Sequence, residues 1–300
     1  MITVIGSINL DLIANVTRLP KAGETVPGDD FRTAPGGKGA NQALAAARAG
    51  GEVRMIGAVG KDAFAIEALA CLKQGRVDVS GVREVHAATG TALILVDEKG
   101  ENIIAVVPGA NATVLPGDLA KAFLRKDEIV LLQHEIPIAT VRKALAAARE
   151  AGALSVLNTA PFRTDAVELL AEADYVVANE TEFDLYADAL NLAGSERTAR
   201  MRAFVEATGR TVIVTLGGDG VLAATPDGDI GVPALKITPV DTVGAGDTFC
   251  GYLGAGLAAG LPLEQALRRS AAAGSLACLA PGAQPSIPHG KDVDGALAAG

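Results

Sequence analysis

The 300-residue chain is predicted to fold as a doubly wound α/β protein, with a mostly parallel sheet flanked by helices and a small β-sheet lid. Short apolar runs alternate with Ala- and Leu-rich helical patterns along most of the sequence, which is typical of a parallel sheet covered on both faces. Two regions break this alternation and contain only strand patterns. Hydrophobic residues make up 49% of the chain and charged residues 20%, which is enough apolar material for one large core.

The main sheet is predicted from six apolar runs, at residues 2–6, 53–59, 129–133, 154–158, 175–178 and 211–215. Seven helical patterns accompany them, at residues 40–49, 63–74, 138–151, 165–171, 195–208, 246–259 and 263–277. Because these runs are mostly apolar, without a regular polar alternation, and are separated by helices, they indicate buried parallel strands rather than half-exposed antiparallel ones.

The lid is predicted from the two regions that lack helical patterns, residues 11–35 and 90–107. In the second region, two strand patterns flank a polar turn at residues 98–101, as in a hairpin. We expect the two regions to pair as a small sheet outside the main one. Residues 1–10, 36–89 and 108–300 then form the core.

Charge and composition exclude several classes of partner. The net charge of −9 argues against a nucleic acid or an anionic membrane surface as the main partner, and no continuous apolar run is long enough to cross a membrane. The chain begins without a basic segment before its first apolar run, and its three cysteines are scattered. These features predict a cytoplasmic protein in a reducing compartment.

The most informative motif brackets two glycines with two acids, Asp241 and Asp247 around Gly244 and Gly246, directly before an apolar helical pattern. The glycines allow a tight turn into a helix whose first amides and positive dipole end form an anion hole. A helix cap needs only one acid, so capping would explain one of the two acids and leave the other unexplained. The pair favours a role for Asp247 as a general base beside an amide-lined phosphoryl site.

A second group of motifs indicates a polar ligand near the start of the chain. The glycine-rich stretch 35–42 enters a helix but lacks the spacing of a Walker P-loop, and it indicates either a flexible turn or close approach of backbone to ligand. Asn9 and Asp11 follow the first strand, and Glu135 follows a later one, where parallel strands open a ligand crevice. Asx-turn chemistry for the first pair and a solvated loop acid for Glu135 are the structural alternatives.

Two further stretches admit both a structural and a binding interpretation. Asn179 and Glu182 have the spacing of a helix capping box, and they also suit a polar group beside a nucleotide and its Mg²⁺. The glycine turn at residues 215–220 has two interpretations: it closes a hairpin, or its lack of side chains lets a nucleotide lie against the backbone. The three histidines have neither metal-ligand spacing nor a nucleophile partner pattern.

Taken together and in this order, the stretches 36–41, 179–182 and 241–247 resemble the signatures of the ribokinase-like, PfkB-type carbohydrate kinases. Further similar stretches lie at residues 6–11, 20–25, 89–94 and 282–286, so the resemblance runs from about residue 2 to residue 290. It implies phosphorylation of D-ribose at O5 by MgATP. Kinases of the same fold for another sugar or a nucleoside, and a catalytically silent sugar-binding scaffold, are the alternatives.

The resemblance also implies roles for individual residues. Asp247 would be the base, and the amides of Gly244, Ala245 and Gly246 would stabilise the transferring phosphoryl group. The sugar site would comprise Asn9, Asp11, Gly37, Lys38, Asn41, Glu135 and Asp247. The nucleotide would meet Asn179, Glu182, Thr215, Gly217, Gly218, Gly220, Gly246 and Ala271.

Metal ions and assembly follow from the same resemblance. Glu182 would help to hold Mg²⁺ through water. An activating K⁺ would be bound, mostly by backbone carbonyl oxygens, at Asp241, Val243, Ala277, Ala280, Gly282 and Ser286. A homodimer joined through the β lids would be the assembly.

Overall fold

The computed structural model describes residues 1–121 and 124–299, and this part of the chain contains thirteen strands. In chain order they are β1 (Ile2–Ile5), β2 (Asn9–Val16), β3 (Gly28–Gly36), β4 (Val53–Gly60), β5 (Asp78–Val85), β6 (Gly90–Asp97), β7 (Asn102–Val107), β8 (Ile129–Leu132), β9 (Leu154–Asn158), β10 (Tyr175–Asn179), β11 (Thr211–Thr215), β12 (Val221–Thr225) and β13 (Gly228–Val232).

Nine of these strands form one large sheet in the order β13-β12-β11-β10-β9-β8-β1-β4-β5. It is parallel from β11 to β5, and only the pairings of β12 with its two neighbours are antiparallel. The remaining strands form a separate sheet in the order β3-β2-β6-β7, in which β2 and β6 run parallel and both outer pairs run antiparallel. The predicted fold class, including the small second sheet, is confirmed.

Helices cover both faces of the large sheet. They are α1 (Lys38–Arg48), α2 (Ala63–Ala68), α3 (Ala70–Gln74), α4 (Ile138–Ala151), α5 (Glu180–Ala189), α6 (Arg197–Thr208), α7 (Ala245–Ala258), α8 (Leu263–Ala277), α9 (Ala283–Ser286) and α10 (Gly290–Ala299). No helix in the described ranges has the length and apolar content needed to cross a membrane.

Two hydrophobic clusters show how the apolar strands serve both helix layers. In β8, Ile129 and Leu131 pack into the cluster that contains α1, α7 and α8, while Val130 and Leu132 pack into the cluster that contains α4, α5 and α6. Successive side chains of a strand point to opposite faces, so an apolar residue is needed at every position. This is why β8 is apolar throughout and its neighbouring strands are largely apolar.

The local predictions were wrong in a few places. Residues 63–74 form two short helices that meet at Leu69 instead of one helix, and residues 165–171 lie in the 3₁₀ segment Thr164–Glu172. No side chain caps the start of that segment, and short uncapped segments adopt the tighter 3₁₀ form readily. Strand β5 and helix α10 were not predicted, because exposed and buried residues are mixed along both.

The contact between α1 and α7 places the residues of the functional site. Gly251 of α7 lies so close to α1 that an added Cβ would come within 2.5 Å of the Gln42 carbonyl oxygen and 2.8 Å of the Ala46 amide nitrogen. A glycine inside a helix normally lowers stability, so its place here reflects the close approach of two backbones. That approach brings the first turns of both helices to the carboxyl ends of the central strands.

Substituting Gly251 tests this close packing. Gly251→Ala should lower the free energy of unfolding by about 1–3 kcal/mol, because the new methyl group must push the two helices apart. Gly295→Ala in α10 is the matched control, since an added Cβ there meets no atom within 4 Å. The control should be neutral or raise stability by up to about 1 kcal/mol. Urea unfolding measures both variants, and equal effects would contradict the packing argument.

Candidate active site

Asp247 lies in the first turn of α7 but does not cap that helix. The helix begins after Gly244, which has a left-handed backbone (φ 78°), and no side chain caps it. The Asp247 carboxylate instead accepts hydrogen bonds from Asn41 Nδ2 to Oδ2 (2.9 Å) and from Gln42 Nε2 to Oδ1 (3.1 Å). It is only 6% exposed. The simple capping interpretation is therefore wrong, and α1 orients this carboxylate.

The first amides of α7 remain available for an anion. The Ala245 amide makes a long contact of 3.3 Å with the Thr242 carbonyl oxygen, whereas the amides of Gly246 and Asp247 have no acceptor among the described residues. Open space lies beside Gly246, where an added Cβ would meet no atom within 4 Å. Free amides at a helix N-terminus, with the dipole behind them, form an anion-binding site.

The start of α1 forms the second side of the site. Gly37 precedes the helix with φ 88°, and an added Cβ would lie 2.7 Å from the Asn9 amide nitrogen, so only glycine fits there. The Lys38 amide donates to Glu135 Oε2 (3.0 Å), and Ser7 Oγ donates to the same oxygen (2.5 Å). Glu135 therefore has a fixed place at the positive end of α1.

Asn9 and Asp11 enter the site from the first residues of β2. Asn111 Nδ2 donates to Asn9 Oδ1 (2.7 Å), and Asn111 Oδ1 accepts from the Ile8 amide (2.9 Å), which fixes the orientation of Asn9. The Asp11 carboxylate lies against the backbone of Gly36. Burial, with the nearby charges of Glu135 and Asp247, raises the pKa of Asp11 to about 7.

Lys38 supplies the positive charge of the site. Burial by itself would lower its pKa, but the negative charges of Asp247, Glu135 and Glu182 outweigh that effect and raise it. Among the residues that the structure describes, no carboxylate lies within ion-pair distance of the ammonium group. The side chain therefore stays charged and can meet an anionic ligand.

A cavity of about 220 Å³ lies between these elements. It is lined by Lys38, Asn158, Ala160, Val177, Ala178, Asn179, Glu182, Thr215, Thr242, Gly244, Gly246 and Asp247. The cavity thus joins the base candidate and the open end of α7 to residues predicted to meet a nucleotide.

Asn179 and Glu182 form the capping box of α5 at one wall of this cavity. The Glu182 amide donates to Asn179 Oδ1 (2.8 Å), and the Asn179 amide donates to Glu182 Oε2 (3.1 Å). The structural interpretation of this pair is therefore confirmed. Both side chains still line the cavity, so capping does not remove them from a ligand.

Most of the other residues that were predicted to meet the nucleotide do not line this cavity. Thr215 ends β11 and lines the cavity, and the glycine turn that follows contains the 3₁₀ segment Gly217–Asp219, which does not line it. Gly218 and Gly220 belong to this turn and do not line the cavity. Ala271 is buried in α8, where its carbonyl oxygen accepts from Ser275 Oγ, and it does not line the cavity either.

The predicted cation ligands lie in two segments that the structure joins, the loop before α7 and the stretch from the end of α8 to the end of α9. Asp241 Oδ1 accepts from the Val243 amide (3.0 Å), and its Oδ2 accepts from the Gly282 amide (2.8 Å). Ser286 Oγ donates to the Ala283 carbonyl oxygen (3.0 Å) in the same region. Ala277 ends α8, and Ala280 follows it in the turn before Gly282. Across the described residues, no three His, Cys, Asp or Glu side chains cluster as metal ligands.

Sequence reasoning did not single out several residues of the site. Ser7, Gln42, Asn111, Gln133 and Asn158 all make hydrogen bonds that hold its predicted members or one another. A signal existed for two of them, since Gln133 and Asn158 follow or end parallel strands as Glu135 does. Gln42 is the last residue of the glycine-rich stretch 35–42 and lies just beyond the part, 36–41, that resembles the family signature.

Known proteins are similar to this chain in both sequence and fold. The family model described as pfkB family carbohydrate kinase matches residues 1–290. A ribokinase of Lactococcus lactis is 40% identical over 99% of this chain and 96% of its own length. A ribokinase crystal structure from Thermotoga maritima has a TM-score of 0.91 and 32% identity, covering 99% of both chains.

A third comparison concerns a protein with its ligands. The structure of Arabidopsis thaliana ribokinase complexed with ribose and ATP has a TM-score of 0.84 and 31% identity, covering 99% of this chain and 98% of that one. The family match extends over nearly the whole chain and includes every motif described above. The chain therefore belongs to the pfkB family of carbohydrate kinases.

Proposed function

We propose that this protein transfers the γ-phosphoryl group of ATP to O5 of D-ribose, with Asp247 as the general base. Relatives named as ribokinases, with the same fold and high coverage, support the substrate and the reaction. The observation that carries the role of Asp247 is its position. The carboxylate is buried and held by α1, while the amides of Gly246 and Asp247 in the same helix turn have no acceptor among the described residues.

Phosphoryl transfer requires alignment and charge stabilisation more than covalent chemistry from the protein. Asp247 takes the proton from the sugar O5 hydroxyl while O5 forms a bond to the γ-phosphorus. The bond between that phosphorus and the oxygen that bridges to the β-phosphate breaks, and ADP is released. The open N-terminus of α7, from Gly244 through Ala245 to Gly246, faces the charge that develops on the phosphoryl oxygens. The Lys38 ammonium adds a positive charge beside it.

The sugar site would be formed by the residues gathered around the start of α1. Asn9, Asp11, Asn41 and Glu135 offer side-chain donors and acceptors for the ribose hydroxyls, and the backbone at Gly37 and Lys38 permits close approach. Four polar side chains, two of them buried and two half-buried, suit a free polyol. A nucleoside would need apolar room for its base.

The nucleotide would extend from the cavity along Asn179, Glu182 and Thr215 towards the glycine turn. The cavity wall at Asn179 and Glu182 supports this placement. Gly217, Gly218, Gly220 and the buried Ala271 would complete the adenine side with backbone and a methyl group. Mg²⁺ would neutralise phosphate charge when bound, and the Glu182 carboxylate, which lines the cavity, fits a water-mediated ligand for it.

A monovalent cation such as K⁺ would bind where the two segments meet near Gly244. The donors are oxygen atoms of Asp241, Val243, Ala277, Ala280, Gly282 and Ser286, which suits a hard cation. The bond from the Gly282 amide to Asp241 supports this site because it joins the two segments, and the bond from the Val243 amide fixes the Asp241 side chain within its own loop. The rate in KCl against NaCl at equal ionic strength measures the contribution of the cation.

The small sheet, residues 11–35 and 90–107, would act as the lid and as the contact with a second copy of the chain. Strand β7 is exposed along its whole length, and large hydrophobic side chains on β6 and β7 are about half exposed: Leu93, Ile103, Ile104, Val106 and Val107. An apolar patch of this kind favours a protein interface. Sedimentation velocity measures the assembly.

Removing the base tests the role of Asp247. Asp247→Asn keeps the shape of the side chain but cannot accept the proton, so kcat should fall by roughly 10²–10⁴-fold while ribose binding is largely kept. Steady-state kinetics and calorimetric titration with ribose measure the two quantities. Asp227→Asn, an exposed turn residue, is the control and should leave both unchanged. Near-normal turnover of Asp247→Asn would overturn the assignment.

The pKa of Asp11 predicts a pH dependence of stability. Between its ordinary value of 3.8 and about 7, the folded protein holds a proton that the unfolded chain has released. The free energy of unfolding of the wild type should therefore fall, relative to Asp11→Asn, as the pH rises from about 4 to about 7. Since Asp11 is partly accessible to solvent, the change should be below about 1 kcal/mol per pH unit. Urea unfolding at a series of pH values measures it. A difference between the two proteins that does not vary with pH would contradict the raised pKa.

A further inference from the structure

Gln42 connects the base candidate to the wall of the cavity. It lies on α1, is 1% exposed, and does not line the cavity itself. Its Nε2 donates to Asp247 Oδ1 (3.1 Å) and to Asn158 Oδ1 (3.3 Å). The two hydrogens of one amide group are therefore both directed at acceptors of the site.

The orientation of the Gln42 amide is fixed by its partners. Its Oε1 accepts from Gln133 Nε2 (2.7 Å), so a flipped amide would place oxygen against two acceptor oxygens and nitrogen against a donor. Asn158 is fixed in the same way, because its Nδ2 donates to the Val177 carbonyl oxygen (3.3 Å). Gln133 is fully buried. The side-chain amides therefore donate hydrogen bonds in one direction, from Gln133 to Gln42 and from Gln42 to Asp247.

This direction gives each Asp247 oxygen one amide donor. Asn41 holds Oδ2 and Gln42 holds Oδ1, so the plane of the carboxylate is set by two neighbouring residues of α1. Asn41 is predicted to touch the sugar, whereas Gln42 lies behind Asp247 and can act on the reaction only through it. A displacement of a reacting group by about 1 Å costs on the order of 10²-fold in rate.

We propose that Gln42 is a positioning residue for Asp247, and that Gln133 acts through Gln42 by fixing its amide. The inference rests on the proposed role of Asp247 as the base. It predicts that substitutions of Gln42 change kcat and its pH dependence while leaving the ribose contacts in place.

The first test is Gln42→Leu, which removes both donors at similar size. The value of kcat should fall by roughly 10–100-fold. The ribose Kd, measured by calorimetry without nucleotide, should change by less than about threefold. Thr140→Val is the matched control, because Thr140 is fully buried and its hydroxyl donates to the Val114 carbonyl oxygen far along the chain from Asp247. The control should lower stability with kcat unchanged.

Gln42→Glu separates positioning from a purely structural role. It has nearly the same shape but places a second carboxylate beside Asp247 Oδ1, and two adjacent carboxylates resist ionising together. The acidic limb of the kcat profile should therefore move to higher pH, with activity recovering partly in alkaline buffer. A structural role would lower activity equally at every pH.

A double-mutant cycle tests the role of Gln133. Gln133→Leu alone should lower kcat less than Gln42→Leu does, and in the Gln42→Leu background it should cause no further loss of kcat. Additive losses, or a Gln42→Leu kcat within twofold of wild type, would overturn the proposal. If Asp247→Asn loses turnover and Gln42→Leu does not, only this inference fails. If Asp247→Asn retains turnover, the proposed base fails as well.

Discussion

The close contact of α1 and α7 at Gly251 is the constraint on which the site depends. It allows two helices to approach backbone to backbone, so that Asn41 and Gln42 of one reach the Asp247 carboxylate of the other. Both helices begin where the central parallel strands end. The arrangement aims two helix N-termini at one space, which is the usual position of ligands in an open α/β sheet.

The electrostatics of the site reconcile an acidic protein with an anionic ligand. The chain carries a net charge of −9, and Glu135 and Asp247 add negative charge at the site itself. The free amides of α7 and the Lys38 ammonium offset it locally. The same acids keep Lys38 charged. A negative net charge is therefore compatible with a small anionic ligand, because a few groups directed at one point can offset it locally.

The sequence predicts the fold class well, because its apolar strands and Ala-rich helices follow the periods that burial on two faces requires. It also predicts the members of the site that lie in glycine motifs or at strand ends, such as Gly37, Asp247 and Glu135. It does not predict which polar side chain at a helix start caps that helix and which does not. Asn179 and Glu182 cap α5, whereas Asp247 is held by α1, and that difference is set by a tertiary contact more than 200 residues apart in sequence. The amide orientations of Gln42 and Gln133 likewise depend on packing.

The position of the phosphate in the product tests the central claim most directly. The chain is incubated with ATP, Mg²⁺, K⁺ and an equimolar mixture of D-ribose, 2-deoxyribose and inosine, and the products are assigned by phosphorus and carbon NMR. If Asp247 activates the O5 hydroxyl of a small sugar beside the open end of α7, phosphate is attached to C5 of ribose, and ribose reacts ahead of inosine. Phosphate on another ribose hydroxyl, faster reaction of inosine, or no transfer to any acceptor would contradict the account.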